Sequence, residues 1–161
     1  MKARKPPTRA PRAARRPTGS ARSPARAAAS TVAPAAGRSR APEPRTKVFV
    51  YGTLLSGEPN HRHLASARLV GEARTLPEFT LYSLEFYPGL VHVGHHTVVG
   101  EVYEVDEPTL AALDYLESHP RFYRRTAIRL ASGEEVETYL LTIEQVAGRS
   151  VIASGNWKER G

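Results

Sequence analysis

The sequence predicts one strand-dominated α+β domain behind a basic tail, and two observations carry that reading. Every aromatic residue lies after Arg45, and Val32 is the only branched aliphatic before it, so the material for a core starts there. Beyond that point, segments rich in Val, Ile, Thr, Tyr and Phe recur between turn residues, whereas only one long stretch combines a helix cap with helical spacing. The division is therefore 1–45 as a disordered basic Ala/Arg/Pro-rich tail and 46–161 as the domain.

Taken in order, Lys47–Tyr51 reads as a buried strand running into Gly52. Asn60 then suits the cap of a short helix over Asn60–Ala65. Strands are predicted at Ala67–Leu76, Phe79–Leu84, Leu90–Val93 and Thr97–Val105. Asp106 is a good N-cap and Pro108 fits a first helical turn, so a helix is predicted over Glu107–Glu117. Strands at Tyr123–Leu130 and Glu135–Ile143 are joined by Ala131-Ser132-Gly133, a hairpin signal, and a further turn is predicted at Glu144–Ala147. No internal repeat is visible, and residues 46–161 suit a single core.

Charge follows the same division. Residues 1–45 hold twelve Lys/Arg and one acid, Glu43, for a charge of +11, while the remainder carries −4. The overall charge of +7 is thus a property of the tail. The tail is mostly Ala, Arg, Pro and Ser, and cannot bury enough apolar surface to offset chain entropy. Weak, salt-sensitive, non-specific contact with nucleic acid is one role open to it. It has no aromatics to stack on bases, so sequence reading is not expected. Its eight prolines oppose the amphipathic helix of a transit peptide. No apolar run reaches the ~20 residues of a membrane helix. With no cysteine in the chain, disulfides and thiolate catalysis are excluded, and a cytoplasmic location is the expectation.

Two segments point to chemistry. In Val48-Phe49-Val50-Tyr51-Gly52-Thr53-Leu54, the strand ends at a glycine turn where successive backbone N–H groups can converge into a nest for an anion. A side chain at Gly52 is expected to crowd the ligand or strain the turn. The second segment is Leu113-Asp114-Tyr115-Leu116-Glu117. At about 100° per residue, with Leu110 at 0°, Leu113 falls near 300°, Glu117 near 340° and Asp114 near 40°. Glu117 thus lies at the centre of the apolar arc and Asp114 at its edge. Burial there disfavours the charged form and raises a carboxyl pKa toward a value useful for proton transfer. The alternative is structural, with Glu117 capping the helix or pairing with Arg124 or Arg125. Tyr123 is the best further candidate for lining the site, and Arg125, on the same strand face, is placed to meet Glu117. The histidines His61, His63, His92, His95 and His96 lack a convincing ligand arrangement, since His92 alternates on a strand and His95-His96 falls in a predicted turn.

The blocks Tyr51-Gly52-Thr53-Leu54, Gly100-Glu101-Val102-Tyr103, Leu113-Asp114-Tyr115-Leu116-Glu117 and Phe122-Tyr123-Arg124-Arg125, in this order, resemble the gamma-glutamylcyclotransferase-like family. The run Gly57-Glu58-Pro59-Asn60-His61-Arg62 looks most like its gamma-glutamylamine cyclotransferase branch, and Thr53 stands where glutathione-specific relatives carry Ser. The resemblance spans about Lys47 to Trp157. It implies a mixed, partly closed β-barrel with short helices packed outside. It also implies an enzyme that needs no cofactor or metal and acts on a small-molecule gamma-glutamyl substrate. On this reading an L-gamma-glutamyl amine or amide is bound by Tyr51, Gly52, Thr53, Leu54 and Tyr123. Glu117, as acid/base, assists intramolecular attack that yields 5-oxoproline and a free amine. Trp157, in a block similar to one in bacterial relatives, is expected to close one wall of the pocket. Two readings from other classes stand beside it: a non-catalytic small-molecule-binding domain, and a nucleic-acid-associated protein acting through the tail.

Overall fold

The computed structural model describes residues 44–160, so the expectations for the tail lie outside the described residues. Eight strands and one α-helix follow in chain order: β1 Thr46–Val50, β2 Arg68–Arg74, β3 Phe79–Ser83, β4 Pro88–His96, β5 Val99–Val105, α1 Glu107–Leu116, β6 Arg124–Arg129, β7 Glu135–Leu140 and β8 Ser150–Val151. They form a five-stranded sheet in the order β2-β5-β1-β7-β6 and a three-stranded sheet in the order β4-β3-β8. The predicted α+β class is observed.

Strand β1 is central because its sequence leaves it no wet face. Val48, Phe49 and Val50 are all buried, as a strand covered on both sides requires. It pairs antiparallel with β5 and parallel with β7 at Val48 and Glu137, which makes the sheet mixed. The β6–β7 hairpin turns at Ala131–Gly133, with Gly133 at φ +91 as its left-handed residue. On the outer edge, β2 carries a register shift between Leu69 and Gly71 and exposes Leu69 and Val70.

Backbone and tyrosine hydroxyls join the two sheets. The Leu141 N–H donates to the Leu90 carbonyl at 2.9 Å. Tyr51, just past β1, donates its hydroxyl to the Tyr139 carbonyl at 2.6 Å, and the backbone of Leu90 in β4 lies beside that hydroxyl. Tyr123 donates to the Pro88 carbonyl.

The predicted segments recur with shifted ends. β4 is longer than Leu90–Val93, because Pro88 can open a strand and Gly94, at φ +130, keeps the chain paired through a bulge. His95 and His96 therefore lie in a strand, not a turn. The predicted helix at Asn60–Ala65 is a single 3-10 turn over His61–Leu64, and Asn60 does not cap it. Its amide donates instead to Thr53 Oγ1 at 2.9 Å, tying the turn to the Gly52 loop.

Helix α1 forms where its cap allows. Asp106 has extended backbone and its carboxylate accepts the Thr109 N–H at 2.9 Å. The Thr109 hydrogen bonds, side-chain first and then backbone, hold the Asp106 carboxyl below its ordinary pKa. A depressed folded-state pKa gives stability that is present above the unfolded value, near 3.9, and is lost as pH falls through the folded one. Asp106→Ala is thus expected to lower the melting temperature by a few degrees at neutral pH. The gap from wild type should narrow as pH drops below about 4, which thermal unfolding across a pH series checks. A gap independent of pH would mean that the cap is not electrostatic.

Candidate active site

The junction of β1, the Gly52 loop, α1 and the start of β4 holds a small cavity. Tyr51, Gly52, Thr53 and Leu54 line it, together with Glu117 and Tyr123. All six residues singled out from the sequence therefore meet in one cavity. Tyr87, Pro88 and Tyr139 complete its walls. Nothing in the local sequence singles out Tyr87 and Tyr139, because their position depends on how the two sheets pack.

Each side chain has a local cause. The Gly52 loop leaves β1 as a tight turn, with the Leu55 N–H bonded to the Gly52 carbonyl at 3.0 Å. No donation by the N–H groups of Gly52, Thr53 or Leu54 to protein is seen among the described residues. The loop is braced from behind. Glu101 accepts the Ser56 N–H at 2.7 Å, Lys158 donates to the Ser56 carbonyl at 2.6 Å, and Asn60 bonds both the side chain and carbonyl of Thr53. His61 Nδ1 lies 3.0 Å from the Leu54 carbonyl, and its ring packs on Tyr103.

Glu117 is the C-cap of α1, its own N–H bonded to the Leu113 carbonyl, one residue beyond the last helical position. The residue is 8 % exposed and lines the cavity, so a structural role at the helix end and a place at the cavity coexist. Arg125 does not do what its strand face suggested. It pairs with Asp114, Nε to Oδ1, at 3.3 Å, because the edge position of Asp114 turns it toward β6. Asp114 also accepts the Tyr139 hydroxyl at 2.7 Å.

The tyrosines sit in an electrostatically uniform setting. Burial raises the Tyr51 phenol well above its ordinary value, and the neighbouring charge of Glu117 adds to this. Tyr123 is raised by burial first, then by Tyr51 and Glu117. Tyr139 is raised by burial and by its hydrogen bond to Asp114. All three phenols stay protonated near neutral pH, so their proton positions are fixed by their acceptors.

The β3–β4 turn places Tyr87 and Pro88 against the same cavity while Phe86 is 82 % exposed at its tip. Glu85 in that turn has φ +79. Tyr87 meets Phe122 edge to face, and Phe122 meets Tyr123 in the same way. Trp157 does not form a cavity wall. It is buried in the core, where the guanidinium of Arg160 covers its ring at 3.9 Å. Arg160 in turn reaches Glu58 of the braced loop, so Trp157 supports the cradle from outside.

Among the described residues, no group of three or more His, Cys, Asp or Glu could hold a metal ion. His92 instead stacks on Phe79 at 4.3 Å and contacts Glu78 at 3.1 Å. No helix among them is long and apolar enough to cross a membrane. The site thus brings the Gly52–Leu54 turn and a buried carboxyl residue to one cavity.

Comparison with known proteins shows the family. The family model described as gamma-glutamyl cyclotransferase, AIG2-like, matches residues 48–159. A Vibrio cholerae protein, provisionally named a gamma-glutamylcyclotransferase, is 50 % identical over 115 residues, which cover 70 % of this chain and 96 % of that one. The solution structure of YtfP from Escherichia coli matches with a TM-score of 0.58 and 37 % identity, over 71 % of this chain and 98 % of the other. An AIG2-like protein from Mus musculus matches with a TM-score of 0.54 and 33 % identity, over 65 % of this chain and 80 % of the other.

Proposed function

Because the chain belongs to the gamma-glutamyl cyclotransferase, AIG2-like family, we propose that it converts an L-gamma-glutamyl amine or amide into 5-oxoproline and a free amine. The observation that carries this reading is the meeting of Glu117 with the Gly52–Leu54 loop across one small cavity. The two joined sheets are read, within this proposal, as the partly closed barrel that holds the cavity open.

The substrate's alpha-carboxylate is held by the backbone N–H groups of Gly52, Thr53 and Leu54. That grip directs the alpha-amine toward its own gamma-carbonyl. Glu117 removes a proton from the alpha-ammonium, and the freed nitrogen attacks the gamma-carbon to form the ring C–N bond. The bond to the leaving nitrogen then breaks as Glu117 returns the proton to it, and the ring nitrogen gives up its second proton through Glu117 to the departing amine, which leaves as an ammonium ion. Because the nucleophile and carbonyl belong to one molecule, positioning supplies most of the rate gain; well-oriented intramolecular reactions reach about 10⁵–10⁸ M in effective molarity. Tyr51 and Tyr123 shape the walls. Neither metal nor cofactor takes part.

The test is direct. The purified chain is incubated with a panel of gamma-glutamyl amines, gamma-glutamyl dipeptides and glutathione, and 5-oxoproline is measured. Formation from gamma-glutamyl amines with little from glutathione supports the branch suggested by Thr53. No 5-oxoproline from any of them sinks the reading.

The tail is proposed to be dispensable for this chemistry. A chain beginning at Thr46 retains every strand and every cavity residue. It is expected to fold and turn over substrate at a similar rate. Removing the tail changes the net charge from +7 to −4, so any affinity for DNA or RNA should disappear with it. Paired kinetics and salt-titrated nucleic-acid binding check this, with steep weakening in salt marking counterion release. Loss of activity in a still-folded truncated chain would place the tail in the active site.

A further inference from the structure

The loop after β1 is hydrogen-bonded one-sidedly. Every carbonyl from Gly52 to Ser56 accepts from the protein. The donors are the Leu55 N–H to Gly52 at 3.0 Å, the Asn60 N–H to Thr53 at 2.9 Å, His61 Nδ1 to Leu54 at 3.0 Å, the Glu58 N–H to Leu55 at 2.9 Å and Lys158 Nζ to Ser56 at 2.6 Å. The N–H groups of Gly52, Thr53 and Leu54, by contrast, have no acceptor among the described residues, although Gly52 and Leu54 are buried. Buried backbone donors are nearly always paired, so these three call for an acceptor from outside the chain. In a planar trans peptide, the C=O and the N–H that follows it point in opposite directions. Holding the Gly52 and Thr53 carbonyls on the Leu55 and Asn60 N–H groups therefore turns the Thr53 and Leu54 N–H groups the other way, and both residues line the cavity.

Among the three carbonyls of the cradle, only that of Leu54 is held by a side chain. A carbonyl can only accept, so the His61 ring carries a proton on Nδ1. The bond holds the Leu54–Leu55 peptide, and the N–H of that same peptide closes the turn on the Gly52 carbonyl. The imidazole is itself placed by Tyr103, with ring centroids 5.7 Å apart.

We infer that His61 is a positioning residue for the carboxylate cradle: by holding the Leu54 carbonyl, its Nδ1–H fixes the peptide planes that present the Thr53 and Leu54 N–H groups to an anion. This rests on the proposed function for the identity of that anion, the substrate's alpha-carboxylate, and adds what keeps its donors aligned. His61 touches no substrate in this scheme and exchanges no proton with it. Without its bond the Leu54–Leu55 peptide can rotate, the Leu55 N–H leaves the Gly52 carbonyl, and the donors no longer converge. The loss falls on ligands that are negatively charged at this end and largely spares neutral ligands of the same shape.

The test uses the full chain and ligands that need no turnover. NMR titration compares 5-oxoproline, whose carboxylate is charged at neutral pH, with 5-oxoprolinamide, the same ring bearing a neutral amide. Wild type is expected to favour the acid. His61→Leu keeps a branched Cγ without a donor, and should reduce that preference by roughly tenfold or more, the scale of one hydrogen bond to a charged group. His61→Asn carries an NH2 on the Cγ that bears Nδ1 in histidine, so it should keep most of the preference. His61→Gln, with its donor one carbon further out, is a second variant that should lose it. All three remove the ring contact with Tyr103, so the differences among them belong to the donor. Equal weakening of both ligands in His61→Leu or His61→Gln overturns the inference, because His61 would then support the fold alone. So does a His61→Asn variant as poor as His61→Leu, or a wild type that does not favour the acid. If the preference behaves as expected but no gamma-glutamyl compound yields 5-oxoproline, the proposed reaction fails and the inference stands. If 5-oxoproline forms and the preference survives His61→Leu, the inference fails alone.

Discussion

Replacing Glu117 by Gln is expected to lower turnover by about 10²–10⁴-fold, the span that a positioned acid/base group contributes. Gln has nearly the same volume and keeps a carbonyl oxygen, so the C-cap and cavity wall should survive. What it cannot do is accept a proton from the alpha-ammonium and return it to the leaving nitrogen. Melting temperature and affinity for uncleaved substrate should therefore stay close to wild type while kcat collapses. Asp114→Asn is the matched control, since that carboxylate faces Arg125 and Tyr139 and is assigned no proton transfer. It should retain most activity. Near wild-type 5-oxoproline formation by Glu117→Gln would remove Glu117 from the mechanism. Equal loss in both variants would mean that negative charge near the cavity, not proton transfer, is what matters.

Gly52→Ala is the second large effect expected, and its cause differs from the one the sequence suggested. The backbone at Gly52 is not in the left-handed region, so turn strain is not the issue. A Cβ there would lie 2.3 Å from Pro88 Cγ and 2.7 Å from Pro88 Cδ. The first strand's turn and the opening of β4 touch at this point, and no methyl fits between them. Either the loop or Pro88 must move, and overpacking of this kind costs about 1–3 kcal/mol. The catalytic cost is larger, because a displacement on the order of 1 Å in a positioning element can lower rate by about 10²-fold. The Gly52→Ala variant should thus fold with reduced stability and lose most activity. Adding Pro88→Ala removes both clashing carbons, so the double variant should regain a substantial part of kcat/KM. Full activity in Gly52→Ala, or no recovery in the double variant, would contradict the contact as the cause.

The strand framework was legible because local chemistry and tertiary role agree there. β1 is apolar on both faces and is central; β6 and β7 flank a glycine turn and pair across it. β8 was not legible, since two residues beside a glycine carry no periodicity, and Ser150 and Val151 are strand only because Ser83 and Tyr82 lie opposite. The cavity shows the same split. Tyr51 to Leu54 and Glu117 could be found from a turn and a helical angle, which are short-range features. Tyr87, Pro88 and Tyr139 could not, because their place depends on one sheet meeting another. The helical angle also put Asp114 at the edge of the apolar arc, where it stands, but nothing local showed that a tyrosine and an arginine would meet it.

Tyr51, whose hydroxyl is bonded to β7 and set beside Leu90 of the other sheet while the residue lines the cavity, limits how this site can be altered. A residue that is both seam and wall cannot be exchanged to suit a new ligand without loosening the scaffold. Under the proposed reaction, adaptation to other leaving amines, by natural drift or by design, has freer ground at the β3–β4 turn. There Phe86 projects into solvent next to Tyr87 and Pro88, and it can vary in size and charge while the seam stays closed.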